Sequence, residues 1–100
     1  MNTKVVSIRH DEADVYIGRP SRWGNPFVIG KDGDRQEVIQ KHKNWLMTQI
    51  RNGKVGLQDL AALHGKRLGC YCAPEPCHGD FLAVCADMAY MILKEQEETT

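Results

Sequence analysis

No stretch of the 100-residue chain approaches 18 consecutive apolar residues, so nothing in it reads as a membrane span. The N-terminal octet carries one charge and too short an apolar run for a secretion signal, so the chain is expected to stay in a reducing cytosol. Net charge is missing as well: 13 basic and 13 acidic side chains cancel. That removes a global electrostatic pull toward nucleic acid or an anionic membrane, while leaving room for a local basic patch. Phosphate-loop, dinucleotide-loop, nucleophile-elbow and HExxH signatures are all lacking, and so are internal repeats and low-complexity tracts. Hydrophobic residues, at 42%, are enough for one core and argue against disorder. The expectation is one α/β domain over residues 1–100, with a thin core.

Four cysteines are present, and three of them, Cys70, Cys72 and Cys77, fall within eight residues. In a reducing compartment they read as thiols or metal ligands rather than disulfides.

Short β-branched runs at Lys4–Ile8 and Val15–Ile17 predict two strands, and Lys66–Cys72 predicts a third with Leu68, Cys70 and Cys72 on one face. Residues 19–33 hold three glycines, two prolines and an asparagine, a long structured loop with a brief extended piece at Phe27–Ile29. Asp34 with Glu37 has the spacing of a capping box, and Val38 to Ile50 then recur at helical spacing until Gly53. Gln58–His64 predicts a short helix ending at Gly65. Gly79–Glu95 predicts the last, with Phe81, Leu82, Cys85, Met88, Ala89 and Ile92 as its stripe and a frayed tail after Glu95. Alternating strands and helices imply a small, single-layer, mostly parallel Rossmann-like sheet with flanking helices and a long functional loop. In such sheets ligands gather where strand ends meet helix starts.

Two segments carry the chemistry. In Gly69–Asp80 a strand ends at Cys72 and a helix begins near His78. Unpaired amides at Gly79, Asp80 and Phe81, with the helix dipole, suit an anion. The same field favours a thiolate at Cys77, and His78 beside it can move a proton, bind phosphate or ligate metal. Three readings stay open: zinc held by Cys70, Cys72, Cys77 and His78; an anion site with the cysteines as apolar filler; or cysteines in the core with His78 as a cap. Adjacent Cys77 and His78 reach one ion poorly, so no cofactor is predicted and zinc is the alternative. The second segment is Gly18–Phe27. Arg19 and Arg22 suit bidentate recognition of phosphate or carboxylate. Trp23 offers a face for stacking, Gly24 allows close backbone approach, Asn25 reads donor and acceptor edges, and Ser21 adds a hydroxyl. An ordered loop with Trp23 and Phe27 plugging the core explains the same residues. His10 and Asp11, after the first strand, are weaker base candidates.

Together "YIGRPSRWGNPFVIGKDGDR" and "GKRLGCYCAPEPCHGD" resemble the phage and bacterial domain of unknown function 4326, over about Val5 to Ala86. Tyr71 stands where that family is expected to have Trp. The Cys-His helix start is more faintly similar to domain of unknown function 488, with Gly79 in place of an Arg. The resemblance implies a phage or bacterial cytosol and one shared pocket, without a reaction. The resulting expectation is a site for a phosphate-bearing small molecule, nucleotide-like in chemistry, with Arg19, Ser21, Arg22, Trp23, Gly24, Asn25, Gly79 and Asp80 as contacts. Cys77 and His78 are the chemical groups if a nucleotide or nucleic-acid base is transformed. The alternative is a non-enzymatic phage module that engages a host protein or sequesters a nucleotide signal. A nucleic-acid polymer as partner is disfavoured by the charge balance.

Overall fold

The computed structural model describes residues 2–72 and 75–99, with side chains through Glu97. Ala73 and Pro74, expected as loop, and the terminal Thr100 lie outside the described residues. Strand β1 is Lys4–Ser7, β2 is Val15–Tyr16 and β3 is Arg67–Cys70. β3 lies in the centre and is parallel to both neighbours, Leu68 facing Val5 on one side and Val15 on the other. The protein is therefore α/β, with a three-stranded parallel sheet and three helices among the described residues.

Parallel neighbours of one strand require the chain to return along the sheet, normally through a dozen or more residues and a helix. Here residues 8–14 do it directly, because Gly69 lets them cross β3. A Cβ at Gly69 would collide with Ile8 and Ala13. Asp14 closes the crossing. Its N–H donates to Arg67 O at 2.9 Å, and its carboxylate accepts the Arg67 N–H at 2.8 Å and the guanidinium at 3.2 Å.

Helices pack on the opposite face. Helix α1, Arg35–Arg51, opens with the expected Asp34–Glu37 capping box and turns its Val38–His42–Leu46 side inward. Gly53 follows its end at φ +78°, a conformation glycine adopts without strain. Helix α2 is Leu57–Ala61, earlier and shorter than Gln58–His64, with residues 62–65 continuing as turn. Helix α3, His78–Thr99, packs so closely on the sheet that a Cβ at Gly79 would strike Ile17 and Val5. Ile17, Leu46, Leu68 and Leu82 are fully buried between these layers. At the sheet's far end, Asp87 of α3 accepts hydrogen bonds from Thr3 and pairs with His64 Nδ1 at 2.8 Å, while the His64 ring stacks on Tyr90 at 3.9 Å.

Two expectations are corrected. β3 stops at Cys70 rather than Cys72, since the chain bends at Tyr71 and Cys72. Phe27–Ile29 is a succession of bends and turns, fixed by Asp32 accepting the Val28 N–H at 2.8 Å. Helix α3 runs past Glu95 to Thr99. No helix among the described residues is long and apolar enough to cross a membrane.

Candidate functional site

A cavity of about 360 Å³ opens where β2 and β3 end. Tyr16, Cys70, Tyr71 and Cys72 come from the strand ends, and Gly18, Arg19, Asn25 and residues 27–29 from the long loop. Arg35, Val38 and Ile39 line it from the start of α1, and Pro76, Cys77 and His78 from the start of α3. Both singled-out segments therefore meet in one concavity, at the strand-to-helix edge where parallel sheets place their ligands.

The segment residues divide sharply. Arg19 is exposed at the cavity, and its side chain makes no hydrogen bond or ion pair with the described residues. Asn25 lines the wall but spends both ends of its amide internally, donating to Val38 O at 3.0 Å and accepting the Phe27 N–H at 2.9 Å. It holds the loop to α1 rather than reading a ligand edge. Trp23 is corrected from stacking platform to core, since it is only 8% exposed and absent from the cavity wall. Arg22 lies over its ring at 4.9 Å and reaches away to Lys54 O and the Asp59 carboxylate. Gly24 permits close approach of the Gly18 backbone, not of a ligand. Ser21 Oγ is buried without a partner among the described residues and does not line the cavity. His10 and Asp11 fold back onto Ser7 O outside it.

The start of α3 is closed from within. Cys77 takes the cap position, its Sγ accepting the Gly79 N–H at 3.3 Å, and Asp80 accepts the Cys77 N–H at 3.1 Å. The Asp80 N–H turns to Cys77 O at 3.1 Å. Asp80 also places its own carboxylate at the positive end of the helix, so this helix start already has its anion. Gly79 and Asp80 are thus capping residues, and the expected free amides at these positions are satisfied.

Cys77 is correspondingly the reverse of a poised thiolate. Its Sγ lies 3.3 Å from Cys70 Sγ, and that contact, then burial, pushes the thiol well above its ordinary range; the Gly79 N–H opposes this only in part. Sulfur here serves packing more than nucleophilic attack. Cys85 is raised by burial too, with Lys43 opposing. Cys70, Cys72, Cys77 and His78 do not form a ligand set: among the described residues no three His, Cys, Asp or Glu side chains gather to hold an ion.

His78 is the group with chemistry to offer. Its Nε2 lies 2.7 Å from Ile17 O, so the neutral ring donates there and keeps its lone pair on Nδ1. Burial, then the charge of Arg19, holds its pKa below the usual value, against the pull of Ile17 O and Asp80. His42 packs against it at 4.9 Å, edge to face, with both ring nitrogens buried and the Trp23 backbone beside them, too poorly placed for a hydrogen bond of ordinary geometry. Burial and then His78 lower His42 to about 4.

Sequence reasoning missed Arg35, Tyr16, Tyr71 and Ile39 as cavity residues. Arg35 was recognisable as the first residue of a helix leaving the loop. Here it spans the mouth, donating to Pro76 O at 3.2 Å and pairing with Glu75 at 3.0 Å. Tyr71 follows the buried Cys70 and is 57% exposed, edge-on to Tyr16 at 6.3 Å.

The family model described as "Domain of unknown function (DUF4326)" matches residues 2–88, covering both cavity-forming segments. The "Uncharacterized 12.4 kDa protein in nrdA-td intergenic region" of Enterobacteria phage T4 is 41% identical over 81 residues, 80% of this chain and 73% of that protein. No solved structure matches the chain. The protein, built around this cavity, belongs to the DUF4326 family.

Proposed function

We propose that the cavity binds a small phosphate-bearing molecule of the nucleotide class. The observation that carries this reading is Arg19, a guanidinium without a partner among the described residues, at the mouth of a ligand-sized cavity. A guanidinium fork matches phosphate bidentately. Tyr71, Tyr16 and Phe27 supply flat surfaces, and Val38 and Ile39 an apolar floor, which suits a planar base beyond the phosphate. Arg35, already paired with Glu75, adds positive potential at the same mouth. A folded nucleic-acid polymer fits less well, given zero net charge. The setting is the cytosol of a bacterium or of a phage-infected cell.

If the bound nucleotide or base is transformed, His78 Nδ1 is the atom that accepts the proton, because Nε2–H is committed to Ile17 O. The non-enzymatic reading, in which the domain sequesters its ligand, is favoured by a separate observation: Cys77 is buried, capped and protonated. Calorimetry across a nucleotide panel tests binding. Arg19→Ala should weaken the best ligand about tenfold or more, as loss of a charge-assisted hydrogen bond worth ~1.5–3 kcal/mol requires, with the melting temperature nearly unchanged. Equal affinity in the variant removes Arg19 from the site. Product formation lost in His78→Gln distinguishes catalysis from sequestration.

A further inference from the structure

Helix α3 carries an apolar stripe that the rest of the described residues leave uncovered. Val84 is 52% exposed, Met88 59%, Met91 59% and Ile92 40%. These positions recur at helical spacing on one side, while the opposite side buries Leu82, Ala86 and Ala89. Beyond Tyr90 no residue through Glu97 is buried, so more than a turn of helix stands clear of the core. Short helical segments without tertiary packing are marginal in water, which points to packing from outside the chain. The charge at the two ends of the stripe differs. Lys43 of α1 lies 5.0 Å over the Phe81 ring at the near end, and Glu95 follows the stripe at the far end.

We infer that this stripe pairs with the same stripe of a second copy, the two α3 helices running antiparallel about a two-fold axis at Met88. A two-fold axis brings residues equidistant from the centre face to face. Ile92 then meets Val84 of the other copy, Met91 meets Cys85, and Glu95 reaches the Phe81 position where the other copy's Lys43 sits. Every apolar position finds an apolar one, and each end forms an ion pair. A parallel arrangement would set Lys43 beside Lys43 and Glu95 beside Glu95, so charge selects the antiparallel one. The stripe is small, which places the contact among the smaller interface classes and makes the dimer concentration-dependent. Nothing in this pairing uses the cavity, whose mouth is formed by α1, the long loop and the start of α3.

Sedimentation velocity of the full chain, from micromolar to about millimolar, should show a monomer–dimer equilibrium. Met88→Glu should abolish the dimer while leaving the circular dichroism and melting of the monomer in place. Glu95→Lys should weaken dimerisation at least severalfold, and adding Lys43→Glu should restore it, a rescue that only the antiparallel register provides. Met88→Cys, on the axis, should form a disulfide-linked dimer under mild oxidation by glutathione disulfide, one S–S bond replacing two thiols as glutathione is reduced. A monomer at every concentration, a dimer indifferent to Met88→Glu, or no rescue by the charge swap overturns the proposal.

Discussion

Helix α1 opens with Asp34-Arg35-Gln36-Glu37 and helix α3 with Cys77-His78-Gly79-Asp80, and a reciprocal pair of bonds closes each start. In both, the cap side chain accepts an amide of the first turn and the third carboxylate accepts the amide of the cap. Their surroundings are opposite. At α1 the cap is an exposed carboxylate, and Arg35 and Gln36 are open to water to different degrees. At α3 the cap is a buried thiol, followed by a buried histidine and a buried glycine. The two starts adjoin, since Arg35 bonds Pro76 O, and both line the cavity. A cap that faces water can use a strong oxygen acceptor. One that faces the sheet trades acceptor strength for apolar fit, and sulfur makes that trade.

The largest expected difference between the two starts lies in pH dependence. His78 and its neighbour His42 have pKa values lowered by burial, His42 to about 4, while the unfolded chain titrates near 6.5. Below 6.5 the unfolded state binds the proton and the folded state does not. Stability is therefore fully present above that pH and falls as pH drops, the His42 share levelling off near 4. The slope for one such group is at most about 1.4 kcal/mol per pH unit. Asp87, whose carboxyl is lowered by its Thr3 and His64 bonds against the opposing effect of burial, adds stability that is present throughout this window and is lost only as pH falls below about 3.8. Urea unfolding between pH 4.5 and 7 should show the slope. His42→Phe should flatten it and Arg35→Gln should leave it intact; an equal slope in all three would assign the effect elsewhere.

Next in size is the second helical position. Alanine at Gly79 would press on Ile17, Val5 and the Cys77 sulfur, forcing α3 off the sheet. Overpacking of this kind costs about 1–3 kcal/mol. Gln36→Ala, at the same position of α1 and exposed, should change stability by no more than about 0.5 kcal/mol. Equal losses would mean that the sheet does not constrain α3 as the glycine implies.

The contrast also explains what could be read in advance. The Asp34–Glu37 box was legible because both members carry the oxygen acceptors that define it. Cys77 and Asp80 have the same spacing, but a cysteine does not announce a cap, so the segment read as an open anion site with a reactive thiol. The location of the cavity was legible from where irregular, residue-rich segments adjoin strand ends. Which side chains enter it was not. Trp23 and Arg19 lie in one loop, and only three-dimensional packing sends the indole into a thin core and leaves the guanidinium outside. The crossing of residues 8–14 over Gly69 was hidden likewise, because glycine within a strand marks a close approach without naming its partner.

A third difference concerns the carboxylates that close the two boxes. Asp80→Ala leaves the amide of buried Cys77 unpaired, a loss of about 1–3 kcal/mol. Glu37→Ala frees an amide that water can reach, so the loss should stay within a few tenths of a kcal/mol, as usual for exposed sites. Parallel denaturant melts of the two variants compare them directly, and a larger loss at Glu37 would reverse the assignment of the buried cap.

The smallest expected effect comes from exchanging the cap atom itself. Asp34→Ala should cost about 1 kcal/mol, the ordinary value of a cap. Cys77→Ser should cost less, because two changes oppose each other. The hydroxyl accepts the Gly79 N–H more strongly than sulfur does, but it loses the contact with Cys70 and buries a polar group beside Ile17 and Val5. Equilibrium melts should place the net change within roughly 0.5 kcal/mol, the range of substitutions without a dominant mechanism. Alkylation reads the same atom independently. With its thiol raised by Cys70 and by burial, Cys77 should react slowly with limiting iodoacetamide near neutral pH, after the half-buried Cys72 at the cavity wall. Peptide mapping gives the order. Cys77 labelling first would show a thiolate at the helix start, return it to the role of nucleophile, and move the balance at the cavity from sequestration to catalysis.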